Sequence, residues 1–118
     1  MLGNVTREDS CVVEEMDWGR LVWMVSGAQG NSTVLTVGRC YIEAGKANPR
    51  HYHPNCDEVL HVVQGTVRHT CGDEVAVLEA GDSISIQQNT VHNAENIGES
   101  PVVCVIVFNT AHREVVGE

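Results

Sequence analysis

The stretch GKANPRHYHPNCDEVLHVVQG, residues 45–65, places two histidines one residue apart and then a carboxylate between two glycines. Side chains two residues apart on a strand point to the same face, so His51 and His53 can aim both imidazoles at one point in space. Glu58 lies five residues beyond His53, an odd offset that would turn it away on an uninterrupted strand. Pro54 cannot donate to a ladder and Pro-Asn favours a turn, so the chain is expected to break at 54 and 55 and bring Glu58 back to the histidines. His92, opening a strand after the polar turn QQNT, offers a fourth ligand. Three imidazoles and one carboxylate suit a divalent Fe, Mn, Ni, Co or Zn ion, and octahedral geometry would leave two positions for substrate, water or dioxygen. The plainer reading is a set of hydrogen-bonded polar side chains. It would bury four ligand-type groups at matching spacing without a cation to compensate them.

Outward from this segment the chain is punctuated in short steps. Val/Ile/Thr-rich runs such as RLVWMVS, TVRHTC, EVAVLEAG and PVVCVIVF alternate with Gly, Asn, Asp and Pro, which predicts an all-β sandwich or barrel with little helix. CGDEV reads as a hairpin turn. Residues 1–20, acidic and without a core pattern, read as an N-terminal arm, and residues 21–118 as a single β domain.

With 118 residues the chain can bury a core without disulfides. A net charge of −9 repels phosphate backbones and anionic lipid, so neither nucleic acid nor a membrane surface is an expected partner. PVVCVIVF falls far short of the roughly 20 apolar residues of a membrane span. The five cysteines are odd in number and lack C-x-x-C spacing, and MLGNVTREDSC has no apolar signal region. Reduced thiols in a cytoplasmic protein are therefore expected.

These residues resemble the cupin superfamily. Its first motif runs Gly, five residues, His-x-His, three or four residues, Glu, six residues, Gly, and Gly45, His51, His53, Glu58 and Gly65 stand at those spacings. Its second motif is met by Gly81, His92 and Asn96, with Gln87 where Pro is usual and Asn89 where Gly is usual. Asn tolerates positive φ better than most residues, so the turn stays feasible. The resemblance spans about residues 33–108 and implies a single cupin-type β-barrel, a jelly-roll-like double-stranded β-helix with the metal inside its mouth. It also implies a metal-dependent enzyme acting on a small molecule, dioxygenase-type first, with a lyase or isomerase of a small carboxylate or sugar acid, or a non-catalytic binding protein, as alternatives. One ligand set serves all of these, so fold and ligands do not choose among them.

Other candidates are less fixed. Arg39 and Tyr41 share one face of their strand and Cys40 and Ile42 the other. The loop 44–50 hides which pair lines the pocket: the first would favour an anionic substrate, the second a mostly apolar cavity. Catalytic acid–base candidates are Tyr41, Arg39, Tyr52 and His69, although Tyr52 should point away from the ligands beside it and His69 reads as an ordinary strand residue. Asn96 faces the same way as His92 and is expected to support a ligand or the fold rather than bind metal, Cys56 to be a buried or partly buried thiol, His61 an ordinary strand residue, and His112 a solvated residue or part of a dimer contact. Trp18 and Trp23 read as core or interface anchors, and together with the acidic arm and the sheet edges they point to a homodimer.

Overall fold

The computed structural model describes residues 4–118, so the first three residues of the acidic arm lie outside it. Apart from a 3-10 turn at Glu8–Ser10, the described elements are strands: β1 Val12–Met16, β2 Gly19–Val25, β3 Thr36–Ile42, β4 His51–Tyr52, β5 Glu58–Gln64, β6 Thr66–Cys71, β7 Glu74–Glu79, β8 Ser83–Ile86, β9 His92–Asn96, β10 Val102–Phe108 and β11 Val116–Gly117. They form two antiparallel sheets, six-stranded β1-β2-β3-β10-β5-β8 and five-stranded β11-β4-β9-β6-β7. The barrel is thus a flattened jelly roll, two sheets facing each other across the core.

Period-2 patterning sets which residues enter that core. Along β10, Val102, Cys104, Ile106 and Phe108 are buried while Val103, Val105 and Val107 are half-buried on the outer face. They meet Ile42, Leu60 and Val62 from the same sheet and Val67, Leu78 and Ala94 from the other. The apolar run PVVCVIVF is the central strand of its sheet, paired to β3 on one side and β5 on the other. Gly72 and Asp73 close the β6–β7 hairpin.

Residues 12–16, part of the acidic stretch, form an edge strand that pairs in register with β2, with Val12 opposite Trp23 and Met16 opposite Gly19. Most of β1 is exposed, as an acidic edge strand can be, because hydrogen bonding to β2 rather than burial holds it. Gly65 sits at φ +93, and a Cβ there would lie 2.8 Å from Val102 Cγ2, so the corner between β5 and β6 needs glycine. Asn89, in the turn before β9, adopts φ +68. The asparagine that stands where glycine is usual therefore does take the left-handed conformation.

Candidate metal centre

Two sheets contribute to one cluster. β4 of the five-stranded sheet carries His51, with His53 just past its end, and β9 of the same sheet carries His92 directly opposite His51. Glu58 opens β5 in the six-stranded sheet. Pro54 and Asn55 form the turn that reverses the parity between His53 and Glu58. One ligand atom from each of the four residues lies within 4.8 Å of all the others, with His53, Glu58 and His92 buried and His51 half-buried.

Backbone carbonyls fix the ring orientations. His51 Nδ1 donates to Pro49 O at 2.7 Å, His53 Nδ1 to Glu114 O at 2.7 Å, and His92 Nδ1 to Thr90 O at 2.8 Å. A carbonyl only accepts, so each Nδ1 carries the proton and each Nε2 offers a lone pair toward the cluster. Glu58 Oε1 lies 3.0 Å from His92 Nε2 and 3.2 Å from His53 Nε2. The second approach lacks hydrogen-bond alignment and leaves His53 Nε2 buried without a bonded partner. An orphaned buried imidazole nitrogen beside a buried carboxylate is what a cation between them would satisfy, so the four residues fit a divalent metal site.

Without a cation, protons take its place. Burial by itself would raise the Glu58 carboxyl, but the His92 hydrogen bond and the close approach of the His53 ring hold it down to about 2. Burial disfavours the His92 imidazolium, yet the Glu58 hydrogen bond and charge outweigh it and leave its pKa raised. Burial pulls His51 down to about 4 against the opposing Pro49 carbonyl. His51 and His92 therefore occupy unlike environments.

A cavity of about 340 Å³ opens beside the cluster, bordered by His51, His53 and Glu58 and walled by Trp23, Leu60 and Phe108 among others. Because β3 alternates, Cys40 borders the cavity and Arg39 and Tyr41 stand on the outer face. Arg39 is held there by both carboxylate oxygens of Glu8, at 2.6 and 2.8 Å, and Tyr41 by Arg20 stacked 4.0 Å above its ring. Tyr52 pairs with Val116 and does not border the cavity. His69 is buried behind His92, its ring stacked on the His92 ring at 5.9 Å and 14°, with both nitrogens unpartnered. Burial lowers its pKa to about 4. None of the four acid–base candidates reaches the cavity.

Asn96 is structural: its amide donates to Ile42 O and Ser100 O and its Oδ1 accepts from Gly98 N, each at 2.9 Å. Cys56 is a buried member of the core, and all five cysteines are free. His61 bonds Ser83 Oγ away from the cluster, and His112 is exposed. Trp18 and Trp23 both border the cavity, Trp23 while also packed in the core, so their faces line the pocket as well as anchoring it. Two charged residues of the wall, Glu14 and Arg113, have no sequence signal beyond their charge. Glu14 lies in the acidic stretch and Arg113 in the tail beyond the last apolar strand.

The family model described as Cupin domain matches residues 38–108. Germin-like protein 3-8 of Oryza sativa subsp. japonica is 30% identical over 91 residues, covering 73% of this chain and 40% of that protein. The S161A mutant of Bacillus subtilis oxalate decarboxylase superposes with a TM-score of 0.85 at 24% identity, over 94% of this chain and 31% of the other. A structure of the same decarboxylase concerned with its Mn(II) centres gives 0.81 at 24% identity, over 89% and 29%. The chain thus spans about two fifths of the germin-like protein and under a third of these decarboxylase chains.

Proposed function

We propose that this chain, which belongs to the cupin family, is a metal-dependent enzyme acting on a small molecule bound beside His51, His53, Glu58 and His92, and that its reaction is of the dioxygenase type. The observation that carries the reading is the convergence of three carbonyl-oriented imidazoles on a buried carboxylate at the wall of an open cavity. A divalent ion held by these residues supplies coordination positions for a substrate oxygen and, when redox-active, for dioxygen. The protein's own part is to orient the ligands through Pro49, Glu114 and Thr90 and to exclude water with Trp23, Leu60 and Phe108. Among the described residues no histidine or tyrosine outside the cluster borders the cavity, and the one carboxylate outside the cluster that does, Glu14, is engaged by the Trp23 indole N–H, which favours chemistry that needs no separate protein base. The Mn(II) centres named for the structural neighbour support manganese among the candidate ions.

The same shortage of acid–base groups supports a second reading, a binding protein that holds its ligand without turning it over. Homodimer formation belongs to the proposal and is supported by Val59, Val63, Val75 and Val77, exposed by 40%, 52%, 60% and 55%. A cytoplasmic location is supported by the five free thiols. Among the described residues no helix is long and apolar enough to cross a membrane. Protein purified anaerobically without chelator should carry near-stoichiometric metal and consume oxygen with a member of a panel of small carboxylates, diketones and phenols. Metal without oxygen uptake or any product would favour the binding protein, and absence of metal would refute both.

A further inference from the structure

Arg113 is the charged group of the cavity wall that lacks a partner. Among the described residues no carboxylate lies within 4.0 Å of its guanidinium. The group instead rests on aromatic faces, 4.3 Å from the Trp23 ring centre and 5.3 Å from that of Phe108. The other arginine of the wall is committed, since Arg50 Nε donates to Glu118 at 2.8 Å and its Nη1 to Thr70 at 3.1 Å. Glu14 is engaged as well, accepting the Trp23 indole N–H at 2.6 Å. Burial lowers the Arg113 pKa, with the charges of Glu14 and Glu58 acting in the opposite sense.

The backbone around Arg113 is fixed relative to the metal ligands. Asn55 clamps both neighbours, donating to His112 O at 2.8 Å and accepting from Glu114 N at 2.9 Å. Glu114 O in turn accepts the Nδ1 proton of His53. Phe108 touches both sites, its ring T-shaped to that of His53 at 5.0 Å and its centre 5.3 Å from the guanidinium. A half-buried cation held in place yet left without an anion has an unmet demand for one. The chain's net charge of −9 repels anions at long range, so an anionic ligand needs a local cation of this kind.

We propose that Arg113 is the substrate-recognition residue of the site, and that the substrate is a small carboxylate-class anion with an oxygen donor at its other end, gripped by the cluster at one end and the Arg113 fork at the other across the Trp23–Phe108 wall. This assignment rests on the metal-centred reading above. The test is calorimetric titration of Zn-loaded protein with acetohydroxamate, with succinyl, glutaryl and adipoyl monohydroxamates, and with the matching terminal amides. In native protein the best-fitting acid should bind about tenfold or more tightly than its amide, the difference a charge-assisted pair provides. Arg113→Gln and Arg113→Met should erase that preference to within about twofold while metal content and acetohydroxamate affinity stay unchanged. An acid preference that survives both substitutions, or native protein that prefers no acid at any chain length, overturns the assignment. The comparison of acid with amide on native protein needs no variant and stands if the substitutions misfold. Failure of acetohydroxamate itself to bind the loaded native protein instead refutes the metal-centred reading on which the assignment rests.

Discussion

Lowering the pH should strip a metal ion from this site gradually, because His51 and His92 do not gain protons together. Three exposed imidazoles would each compete with the ion below pH ~6.5 and affinity would fall about a thousandfold per pH unit. Here burial holds the pKa of metal-free His51 to about 4, so it stays neutral and does not compete until pH approaches that value. His92 has its pKa raised by Glu58 in spite of burial and competes from above the ordinary histidine range. Glu58, held to about 2, remains a carboxylate throughout. The slope of log affinity against pH must therefore fall short of three until pH nears 4, with His92 contributing about one.

The sign follows from linkage. A raised His92 pKa makes its contact with Glu58 fully stabilising to the metal-free protein below pH 6.5, and the contact is lost as pH rises through the folded value. A bound ion replaces that proton. At a metal concentration about a thousand times Kd the ion adds about 4 kcal/mol, and this gap between loaded and chelated protein closes by about 1.4 kcal/mol per pH unit for each competing proton. One proton would close it over about three pH units and three protons over about one. Zinc affinity by competition with a chromophoric chelator from pH 7.5 to 4.5, with melting curves of loaded and chelated protein at fixed ionic strength, measures both. A slope of three beginning at pH 6.5, or no slope at all, would refute the assigned division between His51 and His92.

Four other consequences can be checked on the same protein. The double substitution His51→Ala and His53→Ala should abolish metal binding while leaving the β circular dichroism intact, and full retention of metal would sink the ligand assignment. His69, 1% exposed with its pKa lowered from 6.5 to about 4, should weaken the metal-free fold by about 3 kcal/mol as pH falls across that range, since the unfolded chain takes up the proton first. His69→Leu should remove that portion of the acid sensitivity, and denaturation curves that run parallel for the two proteins would contradict it. Asn89→Ala should destabilise by about 1 kcal/mol and Asn89→Gly much less, because the φ of +68 favours residues that tolerate the left-handed region; equal urea midpoints for Ala and native would show otherwise. Finally, a sedimentation mass of 12.8 kDa at micromolar concentration would count against the homodimer.

What could be read from the sequence is what depends on parity and turn chemistry. His51 and His53 meet because strand side chains repeat every two residues, and Glu58 joins them because Pro54 and Asn55 interrupt that repeat. The alternation of β3 likewise limits the cavity wall to Cys40 or Arg39. Choosing between them needs the path of residues 44–50, where Ala47 makes a single bridge to Glu95 and no period survives. β1 escapes notice for a related reason: an exposed edge strand has no buried face to impose a pattern, so VVEEM looks like an arm although all five of its residues pair with β2. Arg113 is less visible still, because its place in the wall is decided by Asn55, which lies 57 residues away in sequence from the His112 carbonyl it holds. These omissions share a cause that bears on function. The inward positions of β3 and β10 carry no charged side chain, so apart from the ligands themselves and Arg50, which Glu118 and Thr70 hold, the charge at the cavity comes from the edge strand and the tail. Glu14 and Arg113 come from those two segments, which is why periodicity finds the ion-binding end of this cavity and misses the end that would select what lies beside it.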